Sequence, residues 1–346
     1  MVALWFWLVA LMLVGYTVAD GFDLGAGTLH LLLARTDEER RLVLRSIGPV
    51  WDGNEVWLLA AAGTLYFAFP GLYASSFSGF YLPLMMVLWL LVLRGIGIEF
   101  RGHLKNQVWA PFWDVVFFGA SALLALFLGV ALGNVVRGVP LDADGWFFEP
   151  LWTDWGVTGQ TGILDWYTVV VGLASLASLA MHGAFWVWGK TDDPIARRAR
   201  RLATFLWPVV LVLALVVTAL TFIVQPLVTR HLSGAPWGYL FAALALAGLA
   251  LARIALSRDH ARSGFFGSAA YLAGMLASAA FGLYPYVLPA TTDPAYGLTA
   301  RAVAAPEAGL HIGLAWWIPG MIIAGAYITY VYRRFAGKVS LEGEGY

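Results

Sequence analysis

Four carboxylates stand in strongly apolar sequence as two pairs of equal spacing. Asp20 and Asp23 lie in Asp-Gly-Phe-Asp, and Asp52 and Glu55 lie in Trp-Asp-Gly-Asn-Glu-Val-Trp. A separation of three places both members of a pair on one face of a helix. Ionisable groups are costly in a hydrocarbon bilayer, so they mark polar sites or ion pathways there. Proton transfer is the chemistry they offer, because buried carboxyls can hold a proton near neutral pH and hand it on. Glu99 and Asp114 border later apolar segments, and Arg94 lies inside one. Asn54, Trp51 and Trp57 flank the second acidic pair as candidates to hold waters or line a cavity. Plainer roles exist for several of these acids. Asp52 and Asp114 could begin helices, where the dipole favours negative charge, and Glu99 could pair with Arg101 at an interface. Asp20 and Asp23 have no basic neighbour in sequence. Gly21, Gly25 and Gly27 beside them allow another helix to approach closely.

The elements that position these residues follow from composition. Of 346 residues, 60% are hydrophobic and 12% charged, and the mean hydropathy is +0.75. A soluble domain carries roughly a quarter charged residues, so the chain reads as an all-α integral membrane protein. Zero net charge gives no pointer to nucleic acid. The absence of cysteine excludes disulfides, thiolate metal ligands and covalently attached haem. About nine transmembrane helices are expected, at 2–33, 50–69, 78–100, 112–136, 163–189, 203–224, 236–256, 265–288 and 309–332. The first reads as a retained helix, since it lacks a basic leader and outruns a signal peptide. One polytopic domain, 1–346, is expected to divide into a first four-helix bundle (1–136) with the acidic cluster, a second (163–288) and one additional helix (309–332).

Basic residues fix the expected orientation. Alternate connections hold Arg35, Arg40, Arg41 and Arg45; Arg94, Arg101 and Lys105; Lys190, Arg197, Arg198, Arg200 and Arg201; Arg253, Arg258 and Arg262; and Arg333, Arg334 and Lys338. The opposite side keeps Arg137, Arg230 and Arg301. Positive charge concentrates in the cytoplasm, so the N-terminus is expected outside and the C-terminus in the cytoplasm. All six acids then fall in the inner half of the membrane. The histidines (His30, His103, His182, His231, His260 and His311) show no metal-ligand spacing on one helix, and no haem or metal site is assigned to this chain.

Four runs carry a family resemblance: Asp20-Gly-Phe-Asp-Leu-Gly-Ala-Gly27, Gly48-Pro-Val-Trp-Asp-Gly-Asn-Glu-Val-Trp57, Ser78-Gly-Phe-Tyr-Leu-Pro83 and Leu93-Arg-Gly-Ile-Gly-Ile-Glu-Phe-Arg101. In order and spacing they resemble subunit II of the cytochrome bd family of quinol oxidases. The resemblance is specific through about the first 135 residues, ending near Gly133-Asn134, and thereafter rests on length, span count and orientation.

The resemblance implies a subunit of an aerobic respiratory enzyme of the bacterial cytoplasmic (inner) membrane, which oxidises quinol and reduces oxygen to water. The b- and d-type haems would belong to a partner, subunit I, with this chain its haem-free relative. Small single-helix subunits can join such complexes, quinol comes from the membrane pool, and some members hold a structural quinone in this subunit. Positions matching Asp52 and Glu99, with the aspartates of the first span, are assigned in relatives to a proton path; the position matching Trp57 is associated with oxygen access. Glu99 stands where relatives can have Asp, which keeps the charge and lengthens the reach. The expected proton path is Asp20, Asp23, Asp52, Glu55, Glu99 and Asp114, supported by Asn54, Arg94, Trp51 and Trp57. Two rivals stay open: a proton-coupled transporter, and an assembly scaffold whose acids pair with a partner. The lack of an inverted repeat counts against the transporter.

Overall fold

The computed structural model describes residues 1–104 and 106–341. Lys105 of the basic set, and all but the first residue of the terminal Leu-Glu-Gly-Glu-Gly-Tyr, lie outside the described residues.

Helix α1 (Val2–Leu33) is 32 residues long, about 48 Å at 1.5 Å per residue. It therefore outreaches the hydrocarbon layer of about 30 Å. A short helix follows, α2 (Asp37–Ile47), where only a connection was expected. Its start is specified locally: the Thr36 hydroxyl accepts from Glu39 N–H while the Glu39 carboxylate accepts from the Thr36 backbone, a reciprocal cap. Val43, Leu44 and Ile47 bury its apolar side.

Helix α3 (Trp51–Ala68) occupies the second expected span with 18 residues. It stops at Phe69 because a residue before proline is barred from helical geometry. Pro70 then opens α4 (Pro70–Gly79), where its missing N–H costs nothing. Next come α5 (Tyr81–Phe100), α6 (Trp109–Arg137), α7 (Trp166–Lys190), α8 (Ile195–Val224), α9 (Pro226–Gly234), α10 (Tyr239–Arg258), α11 (Ala261–Leu283) and α12 (Glu307–Arg334). Arg197 to Arg201, read as a connection, form the first turns of α8. A small antiparallel pair, β1 (Tyr286–Leu288) and β2 (Leu298–Thr299), precedes α12.

Among the described residues eight helices are long and apolar enough to cross a membrane: α1, α5, α6, α7, α8, α10 with its preceding turn, α11 and α12. The ninth expected span is α3, whose first turns carry Asp52, Asn54 and Glu55 and dilute its apolar character.

Helix α1 is the hub. It packs against α3, α6, α7 and α11, while α5 lies on α6, α8 on α7, and α10 on α11. The α1–α7 crossing depends on two glycines facing each other: a Cβ on Gly25 would collide with the Leu179 carbonyl, and one on Gly183 with the Ala26 amide. Such backbone proximity is how helices gain contact area where lipid supplies no hydrophobic drive. The core around this crossing joins Phe22, Ala26 and Leu29 to Leu179, Ala184 and Leu249.

Candidate functional site

The acids of α1 are fully buried, and each is met by a different helix. Arg94 of α5 donates two bonds to Asp20, Nη1 to Oδ2 at 2.8 Å and Nη2 to Oδ1 at 2.6 Å. The same Nη2 reaches Glu55 Oε2 of α3 at 3.3 Å. Arg94 and Asp20 are both 0% exposed. Parallel two-point contact is the strong geometry for guanidinium and carboxylate. Trp51 covers the guanidinium, with its ring centroid 5.9 Å from Arg94 Cζ, and lies against Gly95.

Asp23 faces α3 instead. Asn54 donates through Nδ2 to Asp23 Oδ2 at 2.7 Å, and Tyr332 of α12 donates its hydroxyl to Asn54 Oδ1 at 2.7 Å. Asp23 Oδ1 is buried without a hydrogen-bond partner among the described residues. A polar track thus runs from Tyr332 through Asn54 to Asp23, and Asp20, one turn away, continues it through Arg94 to Glu55. Asp52 and Glu99 are exposed on the surface of the chain. Because Trp51 sits on Gly95, the start of α3 and the end of α5 are neighbours, so both acids flank the same end of the track. Trp57 rests on Gly15 of α1, where an added Cβ would lie 3.3 Å from its ring.

Asp114 belongs to a separate cluster. It accepts from His30 Nε2 at 2.7 Å, Arg101 Nε at 2.6 Å and Arg40 Nη1 at 3.0 Å, and Arg101 also reaches Asp37 at 2.7 Å. These contacts tie together α1, α2, the end of α5 and the start of α6. Two guanidiniums hold its charge, and its hydrogen-bond partners are not those of Asp20 and Asp23.

A third cluster, at the far end of α6, was not foreseen. Arg137 contacts Asp165 closely, donates to Glu149 Oε1 at 2.5 Å and Asn134 Oδ1 at 2.7 Å, and reaches the Gly162 carbonyl at 3.1 Å. Arg137, Glu149 and Asp165 are all 0% exposed. Burial pushes the Glu149 carboxyl up to about 7, against the opposing pull of Arg137 and Thr161. Asp165 also caps α7, accepting from the Tyr167 and Thr168 amides. The sequence signal was present, as acids in the long connection after Arg137, but it does not say which of them fold inward.

The two buried histidines are hydrogen-bonded. His182 engages Ser268 Oγ at 2.7 Å and the Val18 carbonyl at 3.0 Å, and His30 commits Nε2 to Asp114.

The family described as cytochrome bd terminal oxidase subunit II matches residues 1–335. The chain belongs to that family. It is similar to the cytochrome bd ubiquinol oxidase subunit 2 of Bacillus subtilis, 31% identical over 337 residues covering 96% of this chain and 95% of the relative. A probable cytochrome oxidase subunit 2 of Haemophilus influenzae is 30% identical, covering 97% and 94%. The cytochrome bd-I ubiquinol oxidase subunit 2 of Escherichia coli is 28% identical, covering 98% and 95%. In fold the chain resembles the bd oxidase structure from Geobacillus thermodenitrificans, with a TM-score of 0.72 at 18% identity, covering 96% of this chain and 98% of that one. As a member of the family it is a multi-pass inner-membrane subunit of a haem-containing oxidoreductase complex of electron transport, with subunit I as its counterpart.

Proposed function

We propose that this chain is the haem-free subunit II of a quinol:oxygen oxidoreductase, bracing the haem-bearing subunit I and passing cytoplasmic protons toward it. The carrying observation is the polar track of the buried Asp20, Asp23, Asn54 and Arg94 with the half-buried Glu55 and Tyr332, flanked at one end by the exposed Asp52 and Glu99. Basic residues at the same end support reading it as the cytoplasmic one. In this reading Asp52 and Glu99 collect protons at the rim, and Glu55 receives them. Asp23, whose Oδ1 has no hydrogen-bond partner among the described residues, and Asp20 extend the route inward. Asn54 fixes the orientation of Asp23. Arg94 holds Asp20 and Glu55 in place and does not itself carry protons, since a guanidinium is not deprotonated in proteins. The hydrogen bonds on His182 support a structural role for that residue. Haem in the partner would supply the oxygen chemistry.

Asp52→Asn in the intact complex tests the relay. Turnover is expected to fall on the order of tenfold or more, with the haem spectrum unchanged. Normal turnover would remove Asp52 from the route, and loss of haem along with turnover would mark it as a scaffold contact.

A further inference from the structure

We propose that the cytoplasmic-side cavity between α2, α7 and the end of α12 is a binding site for the phosphate of an anionic phospholipid. The cavity has a volume of about 190 Å³ and is lined by Arg45, Lys190, Arg334 and Lys338, with Trp186 on its wall. Among the described lining residues four are cationic and none is acidic. The space equals about six waters' share of liquid volume and is below the usual size of a drug-like or cofactor pocket. It suits a headgroup rather than a whole small molecule.

The walls are held by contacts of these side chains with main-chain carbonyls and with Asp192. Lys190 donates to the Phe335 carbonyl at 2.5 Å, with its ammonium 5.0 Å from the Trp186 ring centroid. Val339 N–H donates to the Lys190 carbonyl at 2.8 Å, fastening the segment after α12 to the end of α7. Arg45 donates to the Ser340 carbonyl at 2.6 Å, and Lys338 pairs with Asp192, outside the lining, at 2.5 Å. Both α7 and α12 end here, which places the cavity at the depth of lipid headgroups, where tryptophan also concentrates.

Continuity with the lipid phase singles out a phospholipid over free phosphate. A shallow groove along α12, lined by Gly325, Ala326, Thr329 and Tyr330, runs up to the same Arg334. An acyl chain lying there would bring its phosphate to the cavity mouth. Basic pockets between membrane helices on the cytoplasmic side are the setting in which anionic headgroups are retained. The inference is independent of the proton route.

The test uses the whole complex, delipidated in detergent and titrated with dioleoylphosphatidylglycerol, dioleoylphosphatidylcholine or inorganic phosphate, with bound species counted by native mass spectrometry. Phosphatidylglycerol is expected to bind in preference to phosphatidylcholine. Arg334→Gln, an exposed position, is expected to weaken that binding about fivefold, the effect of one cation near a membrane surface. Arg201→Gln removes the same charge from the same basic side outside the cavity, and is expected to change binding by less than about twofold. Equal losses in both variants, no preference for the anionic lipid, or retention of inorganic phosphate without lipid would each overturn the proposal.

Discussion

A guanidinium that cannot shed its proton is a fixed charge, and Arg94 supplies one to the buried Asp20 and the half-buried Glu55 at once. Removing it leaves Asp20 without its counter-ion, and breaking a buried pair from one side costs about 3–5 kcal/mol. Arg94→Gln is therefore expected to lower the melting temperature and yield of the complex. Adding Asp20→Asn should restore much of the stability, because neither partner is then charged. Thermal unfolding of the single and double variants checks this; a double variant no better than the single would show that Arg94 acts through other contacts. Glu149 titrates where cells live. Its folded-state value of about 7 lies above the ordinary 4.5, so the stability it contributes is complete below about pH 4.5 and is lost as pH rises through about 7. The loop 138–165 should then show less amide protection at pH 8 than at pH 5.5, once each rate is corrected for the base-catalysed rise of intrinsic exchange. Glu149→Gln should flatten that difference, since a fixed neutral group still accepts from Arg137. Hydrogen exchange of the complex at the two pH values reads it directly, and equal pH dependence in the variant would sink the assignment.

Among the elements, the crossing of α1 and α7 leaves no room for a side chain. Gly183→Ala places a methyl against the Ala26 amide, and overpacking of this kind typically costs 1–3 kcal/mol. Reduced yield and a lower melting temperature are expected, whereas Gly53→Ala, with nothing within 4 Å of the new Cβ, should change little. Unchanged stability in Gly183→Ala would mean that the helices can part freely. The apolar segments were legible because hydrophobic length belongs to each segment alone. Shorter helices were not. Helix α4, with Gly71, Ser75, Ser76 and Ser78 in ten residues, carries turn-like composition and is helical through Pro70 and its packing. The arginines of α8 read as a connection because polarity was taken for the end of a helix, yet a helix continues past the bilayer when its backbone bonds are met by water or cap.

For the whole molecule, most of the sites were legible and their partnerships were not. Spacing put Asp20 and Asp23 on one face, but one meets α5 and the other α3, and nothing within a single segment reveals a partner 74 or 31 residues away. Likewise Asp52 and Glu99 were visible as acids, while their exposure on the surface of the chain emerged only with the packed helices. The same distances in sequence bear on how the protein is made. Ribosomes deliver roughly 5–20 residues per second, so Arg94 follows Asp20 into the membrane about 4–15 s later. During that interval the insertion machinery must accommodate acids costing about 2.5–3.5 kcal/mol each at mid-membrane. Gly183 comes later still, and Tyr332 after it. The hub helix is synthesised before the helices that complete its packing.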